Sequence, residues 1–190
     1  MAKFEPKFET ALEQHDFSPV SSAAFKVEEL RDYGYVVLRI NPQTAGAAEA
    51  VARLGLSLPE PLKMTGSLDS RLVKWIGPTE YGITLPLAQK DEFIKTAKEA
   101  LQGVFSALVD NSGGYSLLRI SGTQRYEVLS KLALYDLRGQ LPIGKVVSTI
   151  AAKAGVIVYR LEEDSLRIMV RWSFAVHFLR SLEKASEEFR

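Results

Sequence analysis

Residues 110–132 read DNSGGYSLLRISGTQRYEVLSKL: a glycine-rich turn, an apolar run, then Ser121-Gly122 leading into a helical pattern. Such a strand entering a helix can cradle a phosphate on free amide groups. The same residues also serve as turn and cap chemistry. Asn111, Ser112, Gly113 and Gly114 suit a tight hairpin connection between strands at 104–110 and 115–120, where positive φ is needed. Ser121 and Gln124 have the S-x-x-Q spacing of a capping box, in which each side chain satisfies a backbone N–H of the helix start. No ligand is required to account for these residues.

Working outward, the downstream chain reads as a helix over 121–133, a loop over 137–144 and three strands at 145–151, 155–161 and 166–171. A final helix follows, with Phe174, Phe178 and Leu182 on one face and Leu179 beside them. Upstream, YVVLRI (35–40) predicts a buried strand, and an alanine-rich helix follows over 44–54, with Thr44 as N-cap and Gly55 as its stop. Strands at 71–76 and 80–85 flank the turn Gly77-Pro78-Thr79, and a helix begins near Asp91 and ends at Gly103. The element order is β-α-β-β-α-β and then β-α-β-β-β-α. That predicts an α+β fold of two ferredoxin-like-type subdomains with mainly antiparallel sheets. The expected divisions are an N-terminal arm over 1–22, disordered or laid along a partner, a ferredoxin-like subdomain over 23–103, and a second α+β subdomain over 104–190 packed tightly on it.

With 190 residues the chain buries roughly 70% of its extended surface on folding and needs no staple. Its 24 Lys+Arg and 23 Asp+Glu leave a formal net charge of +1 without a basic run, which argues against a nucleic-acid footprint. The absence of cysteine excludes disulfides, thiolate metal sites and a cysteine nucleophile. The polar start MAKFEPKFETALEQHDFSP is not a signal peptide, and no stretch approaches the roughly 20 apolar residues that span a bilayer. A cytoplasmic, soluble protein is expected.

Chemistry-bearing patterns are sparse. His15 and His177 are the only histidines, and neither has partners at metal-ligand spacing. Glu162-Glu163 falls in a hairpin turn, where solvated carboxylates are ordinary. LRGQLPIGK supplies Gly139, Gly144 and Lys145, but Val146 stands where a P-loop needs a hydroxyl, so neither a nucleotide nor a dinucleotide site is expected. Trp75 reads as core, whereas Trp172 is as well suited to an interface. No catalytic, cofactor-binding or metal-binding residue is assigned.

Taken in order, KWIGPTEYGITLP (74–86), LVDNSGGYSLLRISGTQRYEVLSKLALYDL (108–137) and VVSTIAAKAGVIVYRLEEDSLRIMVRWSFAVHFLRSL (146–182) resemble the gamma subunits of heterotetrameric sarcosine oxidases, over residues 35–185. That family is similar in turn to the folate-dependent aminomethyltransferases, such as the glycine-cleavage T protein. Those enzymes carry an acidic pair where this chain has Ala154 and Gly155. The resemblance implies a non-catalytic subunit that serves assembly of a cytoplasmic complex for oxidative demethylation of sarcosine or a related N-methyl amine. It implies alpha, beta and delta partner subunits, with FAD, FMN, NAD and tetrahydrofolate on those partners and zinc on delta. A different reading is a free-standing folate-binding, aminomethyltransferase-like protein. It would need an acid near a pocket between the subdomains, and Glu80, Asp110 and Asp136 are the nearest by motif position.

Overall fold

The central strands, such as those at Tyr33–Ile40 and Ser165–Arg171, are buried on both faces, so their sequences run apolar with few interruptions, whereas the edge strands are not. The computed structural model describes residues 9–190. Its elements in chain order are β1 (Lys26–Glu29), β2 (Tyr33–Ile40), α1 (Ala47–Arg53), β3 (Met64–Gly66), β4 (Leu72–Gly77), β5 (Glu80–Pro86), α2 (Lys90–Ala100) and β6 (Ser106–Asp110). They continue with β7 (Tyr115–Ser121), α3 (Arg125–Ser130), α4 (Leu137–Gln140), β8 (Val146–Ala151), β9 (Ala154–Tyr159), β10 (Ser165–Arg171) and α5 (Trp172–Ser186).

Two five-stranded antiparallel sheets result, ordered β3-β4-β5-β2-β6 and β1-β7-β10-β9-β8. The α+β class and mainly antiparallel pairing are as expected, and in the first sheet β4-β5-β2-β6 has the ferredoxin-like order. On β2, Val36, Leu38 and Ile40 face α1 and α2, while Tyr35 and Val37 face the other sheet. On β9, Val156 and Val158 lie under α5, and Ile157 and Tyr159 face back toward the first sheet. The period of two therefore sorts each strand between an outer, helix-covered core and one inner layer shared by both sheets. The molecule is four layers deep, helices outside and sheets within.

Helix ends follow local chemistry. Gly55 takes φ 62°, its N–H reaches Ala52 O at 2.9 Å and Leu56 N reaches Val51 O at 3.2 Å, a Schellman stop for α1 as the glycine suggested. Thr44 is not its N-cap. The helix starts at Ala47 behind Gly46, and Thr44 contributes only its carbonyl to Ala47 N. On α5 the buried face is Ala175, Phe178, Leu179, Leu182 and Ala185, whereas Phe174 is 44% exposed, one position off the stripe.

Residues 110–132 differ from the expectation in two respects. Asn111–Gly114 is a tight turn, with Gly114 N bound to Asn111 O at 3.0 Å and Gly113 at φ 81°, but it does not close a hairpin. β6 pairs with β2 and β7 pairs with β1 and β10, so the turn carries the chain from one sheet to the other. No capping box forms either. Ser121 stays in β7 opposite Lys26 and Ser165, and α3 begins only at Arg125 with no side-chain cap from Gln124. Gly122 makes the bend at φ 102°, close against Ala24.

The N-terminal arm also differs from expectation. Leu12 and Val20 are buried in the core beneath α5, so residues 9–22 lie on their own chain; residues 1–8 of the arm fall outside the described residues. β1, numbered within the expected first subdomain, completes the second sheet.

A Cβ at Gly122 would sit 2.5 Å from Ala24 O, and φ there is unfavourable for L side chains. Gly122→Ala is expected to destabilise the chain by about 1–3 kcal/mol in denaturant titration, and unchanged stability would contradict this account of the bend.

Candidate functional site

The inner layer holds the groups that most need explaining. Lys74 and Thr84 point inward from β4 and β5, Tyr35 from β2, and Tyr159 and Arg167 from β9 and β10. Lys74 has no solvent exposure. Its Nζ donates to Thr84 Oγ1 at 2.5 Å and lies 5.0 Å from the Tyr159 ring centroid and 5.7 Å from that of Tyr35. Burial away from water disfavours the ammonium form and lowers its pKa from 10.5 to about 7. Burial pushes both tyrosine phenols upward, and among the described residues the Tyr159 hydroxyl has no hydrogen-bond partner.

Beside this layer, Arg167 donates to Ser165 Oγ at 2.8 Å and to Glu162 Oε1 at 2.6 Å, and Ser165 Oγ donates to the same Glu162 oxygen at 2.7 Å. These bonds, Ser165 first and Arg167 second, hold Glu162 below its ordinary pKa. Glu162 is thus a clasp on a buried arginine, and Glu163 pairs with Arg160.

Where the sheets diverge, a groove of about 470 Å³ opens between Ile76, Glu80, Tyr115, Ser148, Gly155 and Arg171. Gly155 faces it, with open space where a side chain would project, while Ala154 is buried under α5. Glu80, the one of the three acids that reaches this groove, is paired with Arg39 at 3.2 Å. Asp110 lies on another edge: burial pushes it up, but hydrogen bonds from Lys90 (2.8 Å) and from Ser112 N to Oδ1 (3.0 Å) overcome this and hold it below its ordinary pKa. Asp136 caps α4 by accepting from Gly139 N at 2.9 Å. The structure does not bring these three acids together.

Of the other sequence candidates, His177 Nε2 donates to Ala152 O at 2.9 Å and Lys145 Nζ donates to the Tyr135 hydroxyl at 2.9 Å, while His15 is half-buried within the arm and its Nδ1 has no hydrogen-bond partner among the described residues. The amides of Ser112, Gly114 and Gln124 all bond to oxygens of the chain itself, so the opening stretch offers no anion cradle there. Among the described residues, no group of three or more His, Asp or Glu could hold a metal ion, and no helix is long and apolar enough to cross a membrane. Trp75 is half-buried against the outer core of the first sheet, and Trp172 is 59% exposed.

Family comparison gives this geometry its context. The family model described as "Sarcosine oxidase, gamma subunit family" matches residues 40–188. The chain belongs to that family. Relatives include the sarcosine oxidase gamma subunits of Corynebacterium sp. (strain U-96), 29% identical over 80% of this chain and 74% of the relative, and of Arthrobacter sp., 29% identical over 89% and 83%. Among solved structures, a chain of the heterotetrameric sarcosine oxidase from Corynebacterium sp. U-96 superposes with a TM-score of 0.87 at 24% identity, covering 96% of each chain. The glycine cleavage system aminomethyltransferase T from Bartonella henselae shares the fold at a TM-score of 0.65 and 12% identity, across 87% of this chain but 47% of that one.

Sequence reasoning passed over Lys74, although it quoted the strand that carries it. The available signal was a lysine at an inward position of LVKWIG, flanked by residues that bury on both faces.

Because unfolding lets Lys74 bind a proton that the fold resists, stability should rise with pH from about 7 toward the ordinary lysine value of 10.5. The rise is read below pH 10, above which the raised Tyr35 and Tyr159 phenols act in the opposite direction. Lys74→Met should flatten the slope and stabilise the chain at pH 7 by on the order of 2–4 kcal/mol, less about 1 kcal/mol for the Thr84 hydroxyl left unpaired. A wild-type stability flat between pH 7 and 10, or a destabilised variant at pH 7, would contradict the assignment.

Proposed function

We propose that this chain is the gamma subunit of a heterotetrameric sarcosine-oxidase-like complex and contributes assembly rather than chemistry. The observation that carries the reading is family membership across residues 40–188, joined to a fold that matches a sarcosine oxidase chain from end to end. The site geometry supports it. Glu80, Asp110 and Asp136 are each spent on a cation or a helix cap, and the groove between the sheets presents Gly155, at a position where the resemblance to the aminomethyltransferases would call for an acid.

On this reading FAD, FMN, NAD and tetrahydrofolate belong to the alpha and beta partners, zinc to delta, and the amine, sarcosine or another N-methyl compound, is chosen in the beta subunit. The complex is cytoplasmic. The aminomethyltransferase likeness is then one of fold, over 47% of that longer chain.

Co-expression with alpha, beta and delta subunits should yield one complex that retains this chain through affinity and size-exclusion steps and oxidises sarcosine. The chain alone should carry no flavin absorbance and give no heat with tetrahydrofolate. Micromolar tetrahydrofolate binding by the isolated chain, or failure to enter any complex, would overturn the reading in favour of a free-standing folate protein.

A further inference from the structure

Sheet edges expose unpaired backbone groups, and among the described residues three of the four edges carry a protective device. β1 is charged, with Lys26, Glu28 and Glu29 in four residues. β3 is three residues long and ends at Gly66. β8 is capped at both ends, by Leu62 O on Val146 N at 2.8 Å, by Leu134 N on Ile150 O at 3.1 Å and by Ala152 N on Leu132 O at 2.9 Å. β6 has none of these.

The register of β6 settles which of its groups are free. Asn111 N bonds Tyr35 O at 2.8 Å at the end of the β2–β6 ladder, so the residues in step with it, Ala107 and Val109, exchange bonds with β2. The N–H and C=O groups of Ser106, Leu108 and Asp110 therefore point away from the sheet. On the face shared with Tyr35 and Val37, Phe105 is 89% exposed, Val109 50% exposed and Ala107 exposed, a strip of the inner layer that the second sheet does not reach. Leu108 points the other way, toward the core under α2. Next to Phe105, a recess of about 440 Å³ opens beside Ile40, Asn41, Thr79 and Ala107.

We propose that β6 is a docking edge, and that its occupant is an extended segment of another subunit of the complex, added to the first sheet as a sixth strand. The free backbone groups require an occupant that is itself extended, since only a strand matches their spacing. The strip also specifies its side chains. Its charges are already neutralised, Arg39 by Glu80 at 3.2 Å and Asp110 by Lys90 at 2.8 Å, so an occupant with uncharged apolar residues at alternate positions fits without leaving a buried charge unpaired. One such residue fills the recess beside Phe105. This inference rests on the gamma-subunit reading for the existence of the partner, and on β6 alone for the place and mode of contact.

The test is hydrogen exchange with mass spectrometry on the isolated chain and on the co-expressed complex, with the double variant Ala107→Lys/Val109→Lys and the control Leu134→Lys at another exposed apolar position. Complex formation should slow exchange of the Ser106, Leu108 and Asp110 amides at least tenfold. The double variant should lower the yield of complex at least tenfold without moving the melting temperature of the isolated chain, and the control should assemble normally. A complex that forms with these amides still exchanging freely, or a double variant that assembles like the wild type, overturns the docking edge while leaving the gamma-subunit reading intact. Protection of these amides that rises with concentration of the isolated chain, and is unchanged in the complex, assigns the edge to a second copy and also overturns the proposal. If no complex forms at all, the gamma-subunit reading fails first and the partner strand with it.

Discussion

Each sheet in this protein has two faces to bury and only one set of helices to cover it, so the remaining face of each must be covered by the other. The inner layer of Tyr35, Val37, Leu72, Leu117, Val146, Ile157, Tyr159 and Met169 satisfies both at once. Burial of apolar surface at about 25 cal/mol per Å² drives that contact. Lys74 is carried within it at the expense of its charge, held by one hydroxyl and two ring faces. The layer makes the two halves one body, and the chain crosses between them twice, at residues 30–32 from β1 to β2 and at the turn Asn111–Gly114, where Ser112 Oγ accepts from Tyr35 N at 3.0 Å.

From that constraint follows where the surface is unusual. Sheets that pack at their centres and diverge toward their edges leave inner-face residues uncovered at the margin: Glu80, Tyr115 and Arg171 in the groove, Phe105 and Val109 along β6. The carboxylates Glu80 and Asp110 at this margin are paired with Arg39 and Lys90, and beside them on β6 lies apolar surface with outward-pointing backbone groups, which suits the proposed docking edge.

Much of the secondary structure was legible because YVVLRI, GVIVYRL and LRIMVR are short, β-branched and bounded by turns, and because Gly55 is the residue a Schellman stop requires. Pairing was less so. Nothing local to 104–120 distinguishes a hairpin from a crossing between sheets, since both want a tight glycine turn; the distant partners β2 and β10 decide it. β1 was missed because Val27 is its one core residue among charged neighbours. The capping box failed because cross-strand pairing of Ser121 with Lys26 and Ser165 outweighs a cap worth about 1 kcal/mol. Glu80, Asp110 and Asp136 were readable as acids but not as neighbours, because they stand on separate elements. Lys74 was hidden by its type: lysine is read as surface unless the strand is known to be covered twice.

If the shared inner layer welds the halves, the isolated chain should unfold as one unit. Differential scanning calorimetry should give a single transition whose calorimetric and van't Hoff enthalpies agree. Two resolved transitions, one for the sheet of β2–β6 and one for the sheet completed by β1, would contradict it.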